Sequence, residues 1–521
     1  MNRREFLAAT AGAIVPAHLL AQVEALGPEE VASPTTRGSG PILRVAAREA
    51  DGGIMELERY RTCHARDLAN DPLPQAIHSD HRVAQIALPK EPIQISYRLK
   101  VPDFGEVYCY ADNNGRGYSA PQQIDFISEA ATTRLRRVRE ILALAQQEGA
   151  PLADEINRHL EAAAHTTGYA SLAQSLHAGE KISLARARHR ISRLAAPRKD
   201  FLFGCMISPF ESQGAAFEQR VRELFNFATV CWYTWKNEQP PEARIDYGRM
   251  DRSIDWCLQR HIMPKSFGYV YLTKGATPEW LRNWSYEQLL AEYPRIVAQT
   301  MRRYGDRLPY AEIMNEAHDK ANLWKLSHAQ IIELAKRSFA AAREASPKVK
   351  RQMNHCCLWA EYAKNTNADG SRRWSPWRFI KDCLASGVDY DVIGLQLYYP
   401  QQDLLEIERM LDRFAVFNKP LHITEIATAS EPGADPHSMR PTTTAPGWHG
   451  PWSESTQADW LESTYTLCYS KPQFQAIGWW DLADIGGHFW PHGGLLHGDL
   501  SPKEGYHRLA QLQKSWGVAR A

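Results

Sequence analysis

The amino-acid sequence predicts an α/β fold whose largest part is a (β/α)8 TIM barrel, preceded by a small β-sandwich-like module and a helical connector. Three observations support this prediction. Residues 198–518 alternate eight short apolar runs with amphipathic helical patterns, which is the order expected of such a barrel. Residues 42–122 have strand character, with alternating apolar and polar side chains clearest in IQISYRLKV, and residues 123–197 carry apolar side chains at helical spacing. A chain of 521 residues is also long enough for two or three domains.

The first 25 residues resemble a twin-arginine export signal. Arg3-Arg4 precedes a short, moderately apolar run that ends near Leu20; the alternative is a chance basic start. This run is too short and too rich in Ala and Gly to span a membrane, and no later segment is apolar enough to anchor the chain. Residues 26–41 are rich in Gly, Pro, Ser and Thr and predict a linker. We therefore expect export to the bacterial periplasm or secretion, without a membrane anchor.

The β-rich module is predicted from strand-like alternation. In IQISYRLKV, the apolar residues Ile93, Ile95, Tyr97 and Leu99 alternate with polar ones, which is typical of a strand with one buried and one solvated face. Two roles remain open for the module, carbohydrate binding and a purely structural cap. In the helical connector, the break at residues 149–151 separates two helical stretches, and no catalytic chemistry is expected there.

Composition excludes several classes of partner. The 61 basic residues balance the 60 acidic ones, so neither nucleic acid nor an anionic membrane surface is expected as a partner. The 16 Trp and 21 Tyr suit stacking on sugars, although they equally suit a large core. A polysaccharide or oligosaccharide ligand is thus one of two interpretations that composition leaves open, and we expect a monomeric protein.

No cofactor or metal is predicted. The nine cysteines form no C-x-x-C pair, so a zinc ribbon or thioredoxin-like site is not indicated, and their pairing into disulfides stays undetermined. His488, His492 and His497 lie in one glycine-rich loop; their spacing matches neither helical nor finger-type metal sites. No phosphate-binding glycine pattern occurs near the last predicted strands, which argues against a phosphate-bearing cofactor.

Two glutamates follow predicted barrel strands. Glu316 lies at the end of the fourth strand, YAEIMN, and Glu425 at the end of the seventh, PLHITEIA. Strands four and seven lie on opposite sides of an eight-stranded barrel, and residues at their carboxyl ends face its mouth. Two carboxylates across such a cleft are what cleavage of a glycosidic bond requires, one protonated and one ionised. The alternative is two salt-bridged carboxylates at the barrel mouth.

Ordered motifs from about residue 200 to 515 are similar to glycoside hydrolase family 10, the retaining endo-β-1,4-xylanase-like family of the large barrel clan. The glutamates lie in IMNEA and HITEIA, which resemble the acid/base and nucleophile motifs of the family. Trp235 and Glu238 match the second-strand region. Further matching segments are FGCMISP, GYVYLTKGATPEWL, VIGLQLYY, GWWDLAD and GGLLHGDLSPKEGY.

The resemblance implies roles for individual residues. Glu316 would be the general acid/base and Glu425 the nucleophile of a double displacement, and Asn315 would bind the 2-hydroxyl of the sugar at the cleavage point. The resemblance also implies further substrate-binding residues, some of which differ from the residue that the family usually has. They are Trp235, Tyr269, Lys274, Gln396, Tyr398, Trp480 and Trp490.

The sequence departs from the family pattern at positions that would bind the substrate. Cys231 and Thr234 stand where the family usually has Asn and Lys, and Lys274 replaces the His of a Trp-His pair. Tyr269 replaces another His, and Tyr398 stands where a His usually contacts the nucleophile. These changes predict an altered glycone subsite.

Three functions therefore stay in view. The first is a retaining hydrolase of a xylan-like or related β-linked plant or microbial polysaccharide. The second is a non-catalytic glycan-binding barrel, and the third is a transglycosylase. Lys274 brings a positive charge that could pair with a substrate carboxylate or with Glu425, or form a purely structural salt bridge.

Overall fold

The computed structural model describes residues 41–53, 55, 61–74, 77–80, 83–231, 234–235, 245–318, 321–367 and 369–520. The predicted export signal at 1–25, nearly all of the linker at 26–41, and Glu238 lie outside the described residues. Among the helices that are described, none combines the length and apolar character needed to cross a membrane.

The predicted β-rich module consists of two small sheets. Its strands are β1 (Ile42–Ala46), β2 (His64–Asp67), β3 (Ile77–Asp80), β4 (Val83–Ala87), β5 (Ile93–Val101), β6 (Gly105–Ala111) and β7 (Gln122–Asp125). One sheet has the strand order β3-β4-β1-β7 and the other the order β2-β5-β6. The fold class predicted for this part of the chain is confirmed.

Strand β5 differs from the prediction on its polar face. The apolar face is buried as expected, but Gln94 and Ser96 on the other face are buried too. Two arginines reach over this face: Arg137 donates to the Gln94 amide oxygen at 2.9 Å, and Arg66 donates to the Ser96 hydroxyl at 2.8 Å. The prediction of a solvated face was wrong for this half of the strand, because tertiary contacts cover it.

The helical connector follows directly. It contains α1 (Phe126–Glu148), α2 (Asp154–His165) and α3 (Gly168–Ser192). The Asp125 carboxylate caps α1 by accepting from the Ser128 N–H at 2.9 Å, and Gly149 ends the helix with φ +71°, a left-handed conformation that glycine adopts without steric cost. The predicted break at residues 149–151 is confirmed.

Eight parallel strands close into the barrel, and each contains or overlaps one of the eight apolar runs. They are β8 (Leu202–Met206), β9 (Phe227–Thr229), β12 (Met263–Ser266), β14 (Tyr310–Asn315), β15 (Lys350–His355), β16 (Val392–Tyr398), β17 (Leu421–Ala427) and β18 (Phe474–Asp481). The barrel closes because β18 pairs with β8 and β12 pairs with β14. Three short strands lie among them: β10 (Thr234–Trp235), β11 (Ile245–Asp246) and β13 (Val270–Tyr271), the last paired with β14.

Helices surround the barrel. They are α4 (Gly214–Leu224), α5 (Gly248–Gln259), α6 (Glu279–Arg282), α7 (Tyr286–Tyr304), α8 (His328–Ala345), α9 (Pro376–Ala385), α10 (Leu404–Ala415), α11 (Glu454–Tyr469) and α12 (Glu504–Ser515), with 3-10 turns at Ser208–Phe210, Gly305–Arg307 and Glu361–Lys364. Helix α7 begins with a reciprocal capping box between Ser285 and Gln288, the arrangement that a Ser followed three residues later by Gln favours.

The cysteines are mostly buried side chains. All nine lie in the described part of the chain without a disulfide, eight of them buried and Cys357 partly buried. Burial raises the pKa of the Cys63 thiol to about 12, so this side chain stays protonated and behaves as a small apolar group.

The module and the barrel are joined at the carboxyl ends of the barrel strands. The Tyr108 N–H in β6 donates to the Gln401 carbonyl at 2.9 Å, in the loop after β16. Arg66 donates to the Trp359 carbonyl at 2.7 Å, in the loop after β15. Since these loops surround the mouth of the barrel, the module lies at the edge of any site built there.

Buried ion pairs fasten the connector to the barrel. Arg134 in α1 binds both carboxylate oxygens of Asp403 at 2.9 and 2.6 Å, and Arg137 binds Glu406 at 2.8 Å. Asp403 also caps α10 by accepting from the Leu405 N–H at 2.9 Å. The side chains of Arg134 and Asp403 are only 5% and 1% exposed, so losing one partner leaves a desolvated charge.

We expect Arg134→Met to destabilise the protein strongly, by about 3–5 kcal/mol, because it leaves the buried Asp403 carboxylate without its main partner. Denaturant unfolding followed by fluorescence measures this change. The matched control is Arg188→Met, which breaks an ion pair with Glu462 whose arginine side chain is 59% exposed; an exposed pair contributes roughly 0–1 kcal/mol. Equal losses in the two variants would contradict the assignment of the buried pair as a fastening contact.

Candidate active site

The two predicted carboxylates are placed by irregularities at strand ends. Glu316 follows the last residue of β14 with φ +52°, a left-handed conformation that is uncommon outside glycine. Its N–H donates to the Asn354 carbonyl of the neighbouring strand at 3.0 Å, which holds this turn. Glu425 lies within β17, and the strand registers shift on both sides of it, between Leu395 and Gln396 and between Ile423 and Ile426. Such bulges re-aim side chains beside functional sites.

Two side chains of the described strands donate hydrogen bonds to Glu316. Tyr271 in β13 donates its hydroxyl to Oε2 at 3.0 Å, and Gln396 in β16 donates its amide to Oε1 at 2.8 Å. The residue is 2% exposed. A carboxyl group held by two donors on different strands keeps one orientation when a ligand arrives.

Glu425 is held in the same way on the other side. Asn354 donates to Oε1 at 3.1 Å and the Tyr398 hydroxyl donates to Oε2 at 2.8 Å. Burial, followed by the negative charges of Glu312 and Glu316, raises the pKa of the Glu425 carboxyl well above its usual value, while the bond from Tyr398 opposes this rise. The negative charge of Glu316 thus favours the protonated form of Glu425.

Asn315 connects the two carboxylates through amides. Its Oδ1 accepts from the Asn354 amide at 3.1 Å and from the Gln396 amide at 3.4 Å. The Asn354 amide nitrogen thus bonds both Asn315 and Glu425, and the Gln396 amide nitrogen bonds both Asn315 and Glu316. An amide nitrogen carries two protons, so both nitrogens are fully used. The Asn315 Nδ2 is buried without a hydrogen-bond partner among the described residues, which leaves two donors for a ligand oxygen.

Buried polar residues inside the barrel, which we call the polar column, support this network: Lys265, Glu312, Gln352 and His422. Lys265 binds Glu312 at 2.5 Å and the Gln352 amide oxygen at 3.3 Å, and Gln352 contacts His422 at 3.1 Å. Burial and then the charge of Lys265 lower the pKa of His422 to about 3, so the ring is neutral. The column places the charge of Glu312 near Glu425 and thereby contributes to its raised pKa.

A cavity of about 350 Å³ opens beside Glu316, near the lower end of the roughly 300–1,000 Å³ range of ligand pockets. The barrel strands and loops supply most of its wall, and the β-rich module supplies the rest. The barrel residues are Glu316, Cys356, Cys357, Leu358, Trp359, Glu361, Gln396, Tyr398, Tyr399, Pro400, Gln401, Arg440, Phe489 and Trp490, and the module residues are Arg98 and Tyr108.

Four of the residues singled out from the sequence line this cavity: Glu316, Gln396, Tyr398 and Trp490. Tyr398 and Trp490 stack almost in parallel, with ring centroids 5.3 Å apart and an angle of 11° between the planes. Glu425 is fully buried and is connected to the cavity through the hydroxyl of Tyr398.

The other predicted substrate contacts lie outside the cavity wall. Trp480 is 1% exposed, with its ring 5.7 Å from that of Phe267. Tyr269 is fully buried beside β14, where its N–H donates to the Glu312 carbonyl at 3.1 Å. Lys274 is exposed, and no ion pair joins its ammonium group to any described carboxylate.

Trp235 lies in the short strand β10, which pairs with β11. The side chain of this residue lies outside the described atoms, so its predicted contact with substrate stays a prediction.

Each of the three loop histidines lies near a carboxylate, and Asp435 is close to both His488 and His492. His488 binds Asp435 at 2.6 Å, His492 lies 3.4 Å from Glu431, and His497 lies 3.1 Å from Glu454. Within the described ranges, no group of three or more His, Cys, Asp or Glu side chains could hold a metal ion. These histidines shape the loop after β18.

Several site residues were not predicted from the sequence. In the sequence, Asn354 is one polar residue within the apolar run RQMNHCCLW, and Tyr271 is an ordinary strand tyrosine in GYVYL. Only a prediction of which strands are neighbours would have indicated Asn354, since β15 lies between β14 and β16. The β-rich module contributes Arg98 and Tyr108, and the long loop between β17 and α11 contributes Arg440. No local sequence pattern indicates that these residues lie near Glu316.

Comparison with known proteins identifies the barrel. The family model described as glycosyl hydrolase family 10 matches residues 193–511. No curated protein matches the chain. Among solved structures, native xylanase 10B from Thermotoga maritima is 19% identical, with 61% of this chain and 97% of that chain covered and a TM-score of 0.47.

Two further solved structures show the same likeness. The GH10 xylanase of Thermobacillus composti is 19% identical, with 60% of this chain and 96% of that chain covered and a TM-score of 0.44. A GH10 xylanase with a bacterial Ig-like domain, from termite gut, is 15% identical, with 64% and 80% covered and a TM-score of 0.47. Because the family model spans more than half of the 521 residues, this chain belongs to glycosyl hydrolase family 10.

Proposed function

We propose that this glycoside hydrolase cleaves a β-linked, xylan-like or related plant or microbial polysaccharide by double displacement, with retention of anomeric configuration. The observation that carries the proposal is the pair of buried carboxylates, Glu316 and Glu425, joined through Asn315, whose amide donors are free for a sugar hydroxyl. The xylanases among the similar solved structures suggest the class of substrate.

In the first step, a Glu425 oxygen attacks the anomeric carbon and forms a glycosyl ester. The bond from that carbon to the leaving oxygen breaks with its electron pair, and Glu316 donates its proton to this oxygen. In the second step, Glu316 removes a proton from water. The water oxygen attacks the anomeric carbon, and the ester bond to Glu425 breaks, so both carboxyl groups return to their starting states.

The hydrogen bonds around each carboxylate suit these roles. Tyr398 and Asn354 favour the ionised form of Glu425, which must attack. Burial and the neighbouring negative charges favour the protonated form. These opposing effects support a state in which Glu316 and Glu425 share a single proton, which is the state that double displacement needs. Asn315 Nδ2 would bind the sugar 2-hydroxyl oxygen, a contact that strengthens in the transition state.

We also infer export of the protein to the periplasm or beyond, which the Arg3-Arg4 motif supports; cell fractionation tests this inference.

Replacing either carboxylate should strongly reduce product release from a panel of β-glycans, measured by reducing-sugar detection. We expect Glu316→Gln to lower kcat by roughly 10²–10⁴-fold, the usual contribution of general acid–base catalysis, and Glu425→Ala to lower it further because the covalent route is lost. Glu287→Gln, at an exposed position of α7, is the control and should keep full activity. A wild-type protein that binds a glycan without releasing product would instead support the non-catalytic alternative.

The pH profile should depend on Tyr398. Activity is lost as the pH falls through the pKa of Glu425, because the protonated carboxyl cannot attack. Tyr398→Phe removes a hydrogen bond that lowers this pKa, so the pKa rises further and the acidic limb of kcat/KM moves to higher pH by about one unit. Tyr271→Phe removes the donor to Glu316 instead and should leave the acidic limb in place. An unmoved acidic limb in Tyr398→Phe would contradict the assignment of Glu425 as nucleophile.

A further inference from the structure

Arg440 is a cation in the wall of the cavity beside Glu316. It lies in the long loop between β17 and α11, where its N–H donates to the Ser438 hydroxyl at 3.1 Å. The guanidinium carbon lies 5.1 Å from the Trp490 ring centroid and 5.4 Å from the Phe489 centroid. Stacking on two rings fixes the guanidinium in place and removes part of its hydration.

No carboxylate of the described residues lies within ion-pair distance of Arg440, and no described acceptor takes a hydrogen bond from its guanidinium. The second arginine of the cavity differs: Arg98 binds Glu106 at 2.8 Å and the Gln401 amide oxygen at 2.7 Å. Burial lowers the pKa of Arg440 to about 10, so it stays charged at neutral pH. A half-buried, charged guanidinium whose donors are unused is complementary to an anion.

Arg440 is also close to the catalytic pair. The Trp490 ring beneath its guanidinium stacks on Tyr398, and Tyr398 donates to Glu425. Asp481 accepts the N–H groups of Phe489 and Trp490 at 2.7 and 3.1 Å, which holds the two rings that carry the arginine. A ligand group bound by Arg440 would therefore belong to the sugar at the cleavage point or to its neighbour.

The other charged groups of the cavity do not account for Arg440. Arg98 is neutralised by Glu106, and Glu316 is held by Tyr271 and Gln396. Glu361 contributes a negative charge to the wall but makes no ion pair with Arg440 among the described contacts. Arg440 is thus the cation of this wall whose charge the described residues leave without a counter-ion.

We propose that the cavity binds a β-glycan that carries a carboxylate, a uronic acid in the chain or as a side group, and that Arg440 holds this carboxylate. The planar guanidinium matches a carboxylate through two parallel hydrogen bonds. This inference rests on the proposed function, and it names the substrate class of the same site.

The test compares an oligosaccharide that bears glucuronic acid with its carboxyl-reduced form, which differs only in charge. We expect wild-type kcat/KM to favour the acidic form by on the order of tenfold or more, as a charge-assisted bidentate contact provides. In Arg440→Gln this ratio should fall to near one. Arg440→Lys should give an intermediate ratio, because lysine keeps the positive charge but cannot make two parallel hydrogen bonds to a carboxylate. The control Arg302→Gln removes an equal charge at an exposed position of α7 and should keep the wild-type ratio.

Titration of Glu425→Ala protein with the same two oligosaccharides gives a second readout without turnover. Preferential binding of the acidic form that disappears on further replacement of Arg440 by Gln supports the inference, even if hydrolysis is never observed and the proposed function fails. A wild-type ratio near one, or a ratio that Arg440→Gln leaves unchanged, overturns the inference while hydrolysis itself can stand. Because the readout is a ratio within one variant, a partial loss of folded protein does not change it.

Discussion

The chain of amides between Glu316 and Glu425 is the constraint on which the rest of the site depends. Gln396 and Asn354 each use both protons of one amide nitrogen to connect a carboxylate to Asn315. Each amide thus has one orientation that satisfies both partners, and Asn315 is left with its own donors unused. The network fixes the spacing of the two carboxylates before any ligand arrives, which is the preorganisation that catalysis by positioned charges requires.

The parallel order of neighbouring barrel strands brings these groups together. Four consecutive barrel strands, β14 to β17, each supply a member of the network at or near the carboxyl end. The left-handed backbone at Glu316 and the register shifts beside Glu425 turn these side chains out of the regular alternation of the strands. The polar column of Lys265, Glu312 and Gln352 lies within the same barrel and adds a buried negative charge that acts on Glu425.

Sequence patterns predicted the barrel and the two glutamates because both follow from local features. An apolar run followed by a carboxylate identifies a strand end without knowledge of its neighbours. Asn354 was missed because its role depends on lying between two particular strands, and the burial of Gln94 was missed because an arginine of the connector covers it. Arg440 lies in a loop between β17 and α11, where no periodicity constrains the position of a side chain.

The module is part of the same unit as the barrel. Arg98 and Tyr108 line the cavity that contains Glu316, although some 200 residues or more separate them from it in sequence. The backbone bond from Tyr108 to Gln401 and the buried pair of Arg134 and Asp403 hold the module and connector against the loops of the mouth. A boundary at residue 198 therefore separates two folds, but residues on both sides of it line the same cavity.

The proposed double displacement requires that Glu425 attack the anomeric carbon directly. Proton NMR of the first product released from a soluble β-glycan, recorded before mutarotation, measures this most directly. Covalent attack followed by hydrolysis inverts the configuration twice, so the account predicts that the new reducing end appears first as the β-anomer. Initial appearance of the α-anomer would show a single displacement by water and would contradict the account.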